Sequence, residues 1–558
     1  MNKEILSFCS HKGFLLDNDL LKLFNEFEDI ESIKIFIEQI TKQTSQRIIT
    51  KKILNKNKEK VEQIFLNIPN KNKKTIDKLK IKLGLSIEII KEKEIVNKFV
   101  EDFGKGEVTD NSINNSINNS INDTIDKEIK KTQKTMNFDI GKKQNSFESV
   151  KIMSATPFVG KKLEVKNFVS YFKNRFVELK NILQENSCLK NLVSINKISE
   201  NRQNISIIGI VSDKKITKNK NILFELEDLT GKIKVLVNSS KKELYEKAEE
   251  ITLDSVIGIN CSGNKEIVFV NDVIFPEAMI LERKKSLVDE SILFIGDLHF
   301  GSKLFLRENF LKFIDYLNGK VPNTPEVKKI KYLFIVGDII TGIGNYPNQE
   351  KDLEIKDLEE QFLGLVELLK QIREDIIIII SPGNHDCVRL IEPQPLFDEK
   401  YAWPLYDMKN VILTTNPCKV NIGAIEGFSG FDILTYHGFS FPYYANNVSK
   451  LILKKAMNCP EEIMKYLLKN RHLAPTHKSI QYFPLEKDPL IIKDIPDIFV
   501  AAHTHKSAVA YYNNILVIST SCWEAMTPYQ EKFGNTPDHC KVPMFNLKTR
   551  EIKILDFE

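Results

Sequence analysis

Five short segments in the second half of the 558-residue chain concentrate side chains that bind metals and move protons. In order they are Gly296-Asp297-Leu298-His299, Gly337-Asp338, Gly383-Asn384-His385-Asp386, Tyr436-His437-Gly438 and His503-Thr504-His505. The chain has only 9 histidines, and five of them fall in these segments. Asp297 and His299 are two residues apart, as are His503 and His505, so an extended backbone projects each pair to one face. A mixture of carboxylate and imidazole suits Mn, Fe or Zn, whereas Mg and Ca favour all-oxygen sites. The glycines let the backbone turn tightly beside an ion. A lone Gly-Asp after a strand is an ordinary turn, and a lone His-X-His is a modest hint of metal. All five in order between 296 and 505 point to one shared site.

Such a site needs rigid elements to aim it. Each segment follows a β-like apolar run, as in SILFIGD, YLFIVGD and DIIIIISPGNHD. Helical stretches (LRENFLKFIDYLNG, LEIKDLEEQFLGLVELLKQI) separate them. Buried strands that run straight into polar turns predict an α/β layered fold with its site at the strand ends.

The rest of the chain divides by composition. Residues 1–104 read as a helical module, with apolar residues at three- and four-residue spacings. Residues 105–150 read as an Asn/Ser-rich flexible tether. Its four-residue repeat of Ile113, Ile117, Ile121 and Ile125 is the alternative sign of a helix that docks to a partner. Residues 151–200 read as a helical connector. Residues 201–285 carry about five strands and one helix, the pattern of an OB-fold β-barrel, which binds either single strands or proteins. Residues 286–558 hold the five segments.

A net charge of +5 does not call for a protein that coats nucleic acid. The 8 cysteines form no CxxC pair, which argues against a zinc ribbon or a disulfide framework and for a reduced, cytoplasmic setting. The N-terminal residues lack a signal-peptide apolar region, and no apolar run reaches the roughly 20 residues of a membrane span.

The five segments resemble the signature of the calcineurin-like metallophosphoesterase superfamily: GDxH, GD, GNHD, H and HxH. The resemblance implies a four-layer αββα domain holding two divalent ions, with Mn²⁺ favoured over Mg²⁺, Zn²⁺ or Fe. It places Asp297, His299 and His505 on one ion and Asn384, His437 and His503 on the other, with Asp338 bridging. His385 would not ligate. It would sit over the scissile phosphate as the catalytic residue, since imidazole titrates near neutrality. Asp386 would orient a ligand from behind.

The order of domains, and runs such as FIGDLHFGSKLFL, GIGNYPNQE, PGNHDCVRLIEPQP, KNRHLAPTH, IPDIFVAAHTHK and WEAMTPYQ, resemble the small subunits of archaeal family D DNA polymerases. That likeness covers residues 160 to 548. It implies a 3′–5′ exonuclease that trims single-stranded or mispaired ends. It also implies a larger catalytic subunit as partner and a sliding clamp reached through the complex. The rival expectations are a non-catalytic scaffold, as in related eukaryotic polymerase accessory subunits, and a stand-alone repair nuclease. The chain departs from the family pattern at Thr341, where an acidic residue is usual, at Ala502, where glycine is usual, and in the run FPYYANN after Ser440.

Further candidates follow from position. Asn345 and Tyr346 are expected to line the substrate path, and Arg389 and Arg471 are candidates for backbone phosphates. Tyr529 and Trp523 are candidates for base stacking, with packing against the sheet or the large subunit as the alternative for both. His472 and His477 are expected to be structural.

Overall fold

The computed structural model describes residues 147–154 and 162–558, with scattered positions in the first 49. The chain forms two units, Met1–Ile129 and Lys130–Glu558. In the first, Leu15–Leu16 pairs in parallel with Ile48–Ile49, and Ile5, Cys9 and Ile37 are buried. The rest of the expected helical module and the Ile113–Ile125 repeat lie outside the described residues.

The second unit is a mixed α/β structure built from two six-stranded sheets and a closed five-stranded barrel. The strands and helices, in chain order, are β1 (Val150–Ser154), α1 (Val165–Gln184), β2 (Gln203–Ile216), β3 (Ile222–Glu227), β4 (Lys232–Val237), α2 (Lys242–Glu249), β5 (Val256–Gly263), β6 (Ile267–Ile274), β7 (Ser291–Ile295), α3 (Arg307–Leu317), β8 (Ile330–Val336), α4 (Leu358–Leu369), β9 (Ile377–Ser381), α5 (Glu399–Tyr406), β10 (Val411–Leu413), β11 (Cys418–Ile422), β12 (Phe431–Tyr436), α6 (Phe441–Asn447), α7 (Ser449–Leu453), α8 (Pro460–Asn470), β13 (Ile498–Ala501), β14 (Ala508–Tyr512), β15 (Ile515–Ser519), α9 (Pro528–Phe533), β16 (Lys541–Asn546) and β17 (Ile552–Asp556).

The first sheet has the order β10-β9-β8-β7-β16-β17, with β7 to β10 parallel. The second has the order β14-β15-β13-β12-β11-β1, with β12, β13 and β15 parallel. Both faces of the central strands are buried, which is why these strands read as unbroken apolar runs. Ile292 and Phe294 of β7, Phe334 of β8 and Ile379 of β9 pack against Ile433 of β12, Val500 of β13 and Ile518 of β15 between the sheets. The alternate residues Leu293, Leu333 and Ile378 pack outward on α3, α4 and α5, through Phe313, Leu365 and Leu405. On the far side Phe499 and Val517 pack on α6 and α8, through Tyr444 and Leu467.

The barrel closes in the order β2-β3-β4-β6-β5, with α2 between β4 and β5. The Asp228 turn expected from DLTG joins β3 to β4, with Asp228 Oδ1 accepting from the backbone of Thr230 at 2.7 Å and Gly231 at 3.0 Å.

The segment expected as a helical connector, 151–200, holds a strand as well as a helix. The strand, β1, pairs with β11 at the edge of the second sheet because Val150 and Ile152 alternate onto the inter-sheet core. The helix, α1, joins two cores. Tyr171 packs with α6 and α8, and Phe176 and Leu179 pack on Ile208, Val256 and Ile274 of the barrel.

Candidate metal centre

The five segments converge because the sheets bring equivalent strand ends together. Asp297 and His299 follow β7, Asp338 follows β8, and Asn384, His385 and Asp386 follow β9, three parallel neighbours in the first sheet. His437 follows β12, and His503 and His505 follow β13, parallel neighbours in the second. The backbone bends sharply at these ends. Asp297, His299, Asp338, His503 and His505 all have positive φ, between 49° and 70°. Five non-glycine residues in that sparse region, all at one site, mark backbone held against its preference for the side chains it aims. Glycine is required beside them. A Cβ on Gly383 would overlap Asp338, and one on Gly337 would overlap the His437 ring.

Two sets of donors result. His299 Nε2 lies 3.2 Å from His505 Nε2, and His505 Nε2 lies 3.8 Å from Asp297 Oδ1. His437 Nε2 lies 3.0 Å from Asn384 Oδ1, 3.2 Å from Asp338 Oδ2 and 3.3 Å from His503 Nδ1. Asp338 sits between the sets, its Oδ2 also 4.0 Å from His299 Nε2. His437 Nδ1 donates to Val336 O at 3.2 Å, so its Nε2 faces an amide oxygen, a carboxylate oxygen and an imidazole nitrogen. Only a proton or a cation reconciles such a meeting. Asp297 Oδ1 is buried and accepts no hydrogen bond. The residues therefore fit divalent ions. Asp297, His299 and His505 form one group able to hold an ion, Asp338, His437 and His503 form another, and His299, Asp338 and His385 form a third that overlaps both.

The electrostatics agree. Burial, with the neighbouring His385, pushes the His299 imidazole down to about 3. Burial, with His437 beside one and His299 beside the other, holds His503 and His505 well below the ordinary value. These rings are held toward the neutral form, each with one lone pair and one N–H. Burial also acts against a charged His437, but Asp338 outweighs it and raises that ring to about 10, a proton serving where a cation fits. Burial raises Asp338, yet His437 and His385 prevail and hold it low.

Behind the donors, Asp386 ties two loops together. Its Oδ1 accepts from Ile340 N at 3.0 Å and its Oδ2 from Gly383 N at 2.7 Å, which sets the Asp338 loop against the Asn384 loop. The His385 backbone donates to Asp338 Oδ1 at 2.7 Å. The His385 ring meets both Thr341 O at 2.9 Å and Asn345 Nδ2 at 3.1 Å through the same Nδ1, which anchors that nitrogen and leaves Nε2 as the one turned to other partners. Thr341, the departure from the family pattern, is thus a hub. Its carbonyl also accepts from Asn345 Nδ2 at 2.9 Å, and its hydroxyl donates to His299 O at 2.7 Å.

Other expected residues separate. Asn345 touches His385 at 3.1 Å, and Tyr346 stands half-exposed with its hydroxyl donating to Asp352 at 3.0 Å. Arg389 is turned back onto its own loop, donating from Nη2 to Pro393 O at 2.7 Å and lying over Phe483. Arg471 is buried and donates to Ile492 O at 2.8 Å, so its expected phosphate role is corrected to bracing the 490s loop. Trp523 is fully buried against Phe310 and Phe313. His472 donates to Asp488 at 2.8 Å, and His477 pairs with the Tyr482 hydroxyl at 2.7 Å. Two residues at the site escaped the sequence reading. Gln530 Nε2 meets His505 Nδ1 at 2.9 Å. The Glu524 carboxyl is raised by burial, and His385 and Asp338 lie close enough to act on it. Both lie in WEAMTPYQ, a run whose only signal was its likeness to the family.

Residues 292–510 match the family model that describes the B-type subunit of DNA polymerases alpha and epsilon. The chain is 34% identical over 398 residues to the "DNA polymerase II small subunit" of Methanothermobacter thermautotrophicus, covering 71% of this chain and 80% of that one. It is 34% identical over 403 residues to the protein of the same name from Pyrococcus furiosus, covering 70% of this chain and 64% of that one. Among solved structures, one titled as a novel archaeal phosphodiesterase aligns with 48% of this chain and 98% of its own at 12% identity, with a TM-score of 0.24. Among the described residues no helix is long and apolar enough to cross a membrane. The chain belongs to the DNA polymerase II small-subunit family.

Proposed function

We propose that this chain is an active 3′–5′ exonuclease subunit of a DNA polymerase, partnered by a larger catalytic subunit and, through it, by a sliding clamp. The observation that carries this reading is the convergence of Asp297, His299 and His505 in one group and of Asp338, His437 and His503 in another, with Asp338 also grouped with His299 and His385, and with an Asp297 oxygen that accepts no hydrogen bond. A scaffold needs none of these, and strained backbone at five donor positions serves no scaffold either. The sheet pair with outer helices is read as a calcineurin-like αββα domain, and the closed barrel as an OB-fold that docks protein or strand.

In this reading Asp297, His299 and His505 hold one divalent ion, and Asn384, His437 and His503 hold the other. Asp338 spans both. Two such ions, when bound, supply an ionised water and charge neutralisation at the phosphorus. The chain's own residues do the rest. Asp338 fixes the spacing of the two sets. Asp386 and the Thr341 carbonyl hold the loops and the His385 ring. His385 Nε2 passes a proton to the leaving oxygen while Nδ1 stays anchored. Asn345 keeps that ring from turning.

The test is direct. The purified chain, alone and with its large subunit, is incubated with Mn²⁺ and single-stranded or mismatched-primer DNA. Shortening from the 3′ end is expected, and its absence in both preparations defeats the nuclease reading. His385→Ala is expected to lower cleavage by roughly 10²–10⁴-fold while metal binding persists. Loss of metal with that substitution would make His385 a ligand instead.

A further inference from the structure

Two segments that reach the donor site carry exposed apolar side chains that the metal chemistry does not need. Ile343 and Tyr346 in one segment are each 43% exposed, and Met526 and Tyr529 in the other are 43% and 68% exposed. Both segments are tied to the site through a neighbouring residue. Asn345, next to Tyr346, touches the His385 ring at 3.1 Å. Gln530, next to Tyr529, touches the His505 ring at 2.9 Å.

The two segments are also held to one another. The segment 302–305 lies between them: Ser302 bridges to Leu353, Lys303 N donates to Asp352 O at 3.0 Å, Phe305 bridges to Glu524, and Ala525 N donates to Leu304 O at 2.9 Å. Tyr346 is moored to this patch by its hydroxyl on Asp352 at 3.0 Å, which leaves the ring to face outward. Tyr529 is placed by the start of α9, where the Thr527 side chain accepts from Gln530 N and the Gln530 side chain accepts from Thr527 N. Two aromatic side chains are thereby set on fixed supports, each one residue away from a side chain that touches a ring beside His299, His385 for one and His505 for the other.

We propose that Tyr346 and Tyr529 form a subsite for the terminal nucleobase of an unpaired 3′ end. The inference rests on the nuclease reading above and adds what selects the substrate. Aromatic rings hold bases by stacking without regard to sequence. A base stacked on these rings has left its complementary strand, so the subsite favours frayed and mispaired ends over paired ones. A protein partner covering the same rings would close this approach to DNA, so continuity with the cluster favours the base as occupant.

The experiment compares two oligonucleotides that differ only in whether the 3′-terminal residue carries a base or is abasic. The full chain, or its complex with the large subunit, cleaves both in Mn²⁺, with bis(p-nitrophenyl) phosphate as a substrate that has no base. The wild type is expected to remove the ordinary terminal residue at least about tenfold more efficiently, by kcat/KM, than the abasic one. The double variant Tyr346→Leu with Tyr529→Leu is expected to discriminate less than about twofold, and the Tyr529→Phe variant to keep the wild-type ratio. Equal rates on the two ends by the wild type, or a wild-type ratio in the leucine variant, would overturn the subsite while leaving the nuclease intact. A wild type that hydrolyses bis(p-nitrophenyl) phosphate but shows no 3′ shortening also overturns the subsite. A wild type inert on all three substrates removes the nuclease reading and the subsite with it.

Discussion

Two buried clusters of carboxylate and histidine lie in the same domain, and they are built on opposite principles. In the donor site, nitrogens face nitrogens at 3.2 Å and 3.3 Å and one Asp297 oxygen accepts nothing. The other cluster joins α1 to the segment after α8. There Arg175 Nε donates to Asp488 Oδ2 at 2.7 Å, and Arg175 Nη1 donates to Pro475 O at 2.5 Å. His472 Nε2 donates to the same carboxylate at 2.8 Å, while its Nδ1 accepts from Ala474 N at 2.9 Å. Leu490 N and Asn174 complete Asp488. Each polar group in that set has a partner of opposite kind. Residue type alone does not distinguish the two clusters. The balance of donors and acceptors does: a set closed on itself holds the fold, whereas nitrogens set against nitrogens around a carboxylate oxygen that accepts nothing leave acceptor capacity for a cation.

Substitution should pull the two apart. Asp338→Ala is expected to reduce nuclease activity by more than about 10³-fold, since it removes the carboxylate common to both donor sets. It should also abolish the rise in Tm that Mn²⁺ gives the wild type, because binding to the folded chain adds about 2.7 kcal/mol at a hundredfold excess over Kd. Retained metal stabilisation in this variant would mean the two sets do not share Asp338. Asp488→Ala is the converse. It strands a buried guanidinium, and removing one partner of a buried ion pair costs about 3–5 kcal/mol. Urea unfolding should show that loss, while the residual folded protein keeps its turnover per active site. Full stability would show that the Arg175 cluster does not carry the joint between α1 and the 470s.

Much of the donor site was legible because each segment sits where an apolar run stops, and strand ends are near one another whenever the strands are parallel neighbours. The i, i+2 spacing of Asp297 with His299 and of His503 with His505 survives as shared aim, although the backbone there is left-handed instead of extended. Long-range pairing was not legible. Arg175 reads as one more charge on an amphipathic helix, and its partner lies 313 residues away. β1 follows an Asn-rich stretch, and nothing in VKIMS announces a sheet edge supplied by β11. Thr341 looked like a loss because a side-chain pattern was being compared, whereas the hub is its carbonyl, which any residue would provide. Glu524 and Gln530 have no periodicity to mark them, since irregular segments are placed by tertiary contact.

Acidity gives a milder way to sharpen the comparison. Burial, with Arg175 nearby, lowers His472 from 6.5 to about 4, and the hydrogen bond from Ala474 N likewise requires a bare Nδ1. The folded state thus binds fewer protons than the unfolded state between those values. Stability must then fall as pH drops from about 6.5 towards 4, by at most about 3 kcal/mol at 1.36 kcal/mol per unit. Metal-free protein carries similar terms from His299, so the measurement is the difference between wild type and His472→Gln, whose amide still donates to Asp488. The slope of unfolding free energy against pH should be shallower in the variant across this window. Identical slopes would show that His472 is not the group being titrated.

The smallest effect concerns the joint between barrel and helices. Glu250, just after α2, takes Lys450 of α7 at 2.8 Å and Lys469 of α8 at 2.6 Å, and Lys469 also lies 4.1 Å from the Phe275 ring centroid. Burial raises the Glu250 carboxyl, but the two ammonium groups prevail and lower it. A carboxylate depressed in this way stabilises above its unfolded pKa, and the gain is lost as pH falls through the folded value. The geometry resembles the Asp488 cluster, one carboxylate between two donors, a guanidinium and a neutral imidazole there and two ammonium groups here. The difference is solvent: the Lys450 side chain is 57% exposed, whereas Arg175 is 1% exposed. Screening and side-chain entropy limit such a pair to about 0–1 kcal/mol. Glu250→Gln should therefore shift the urea midpoint only slightly, and less in 0.5 M salt, where the Debye length shrinks below about 8 Å. A loss as large as that of Asp488→Ala would mean that water is excluded from this joint, and that burial of the carboxylate alone decides what a carboxylate between two donors is worth.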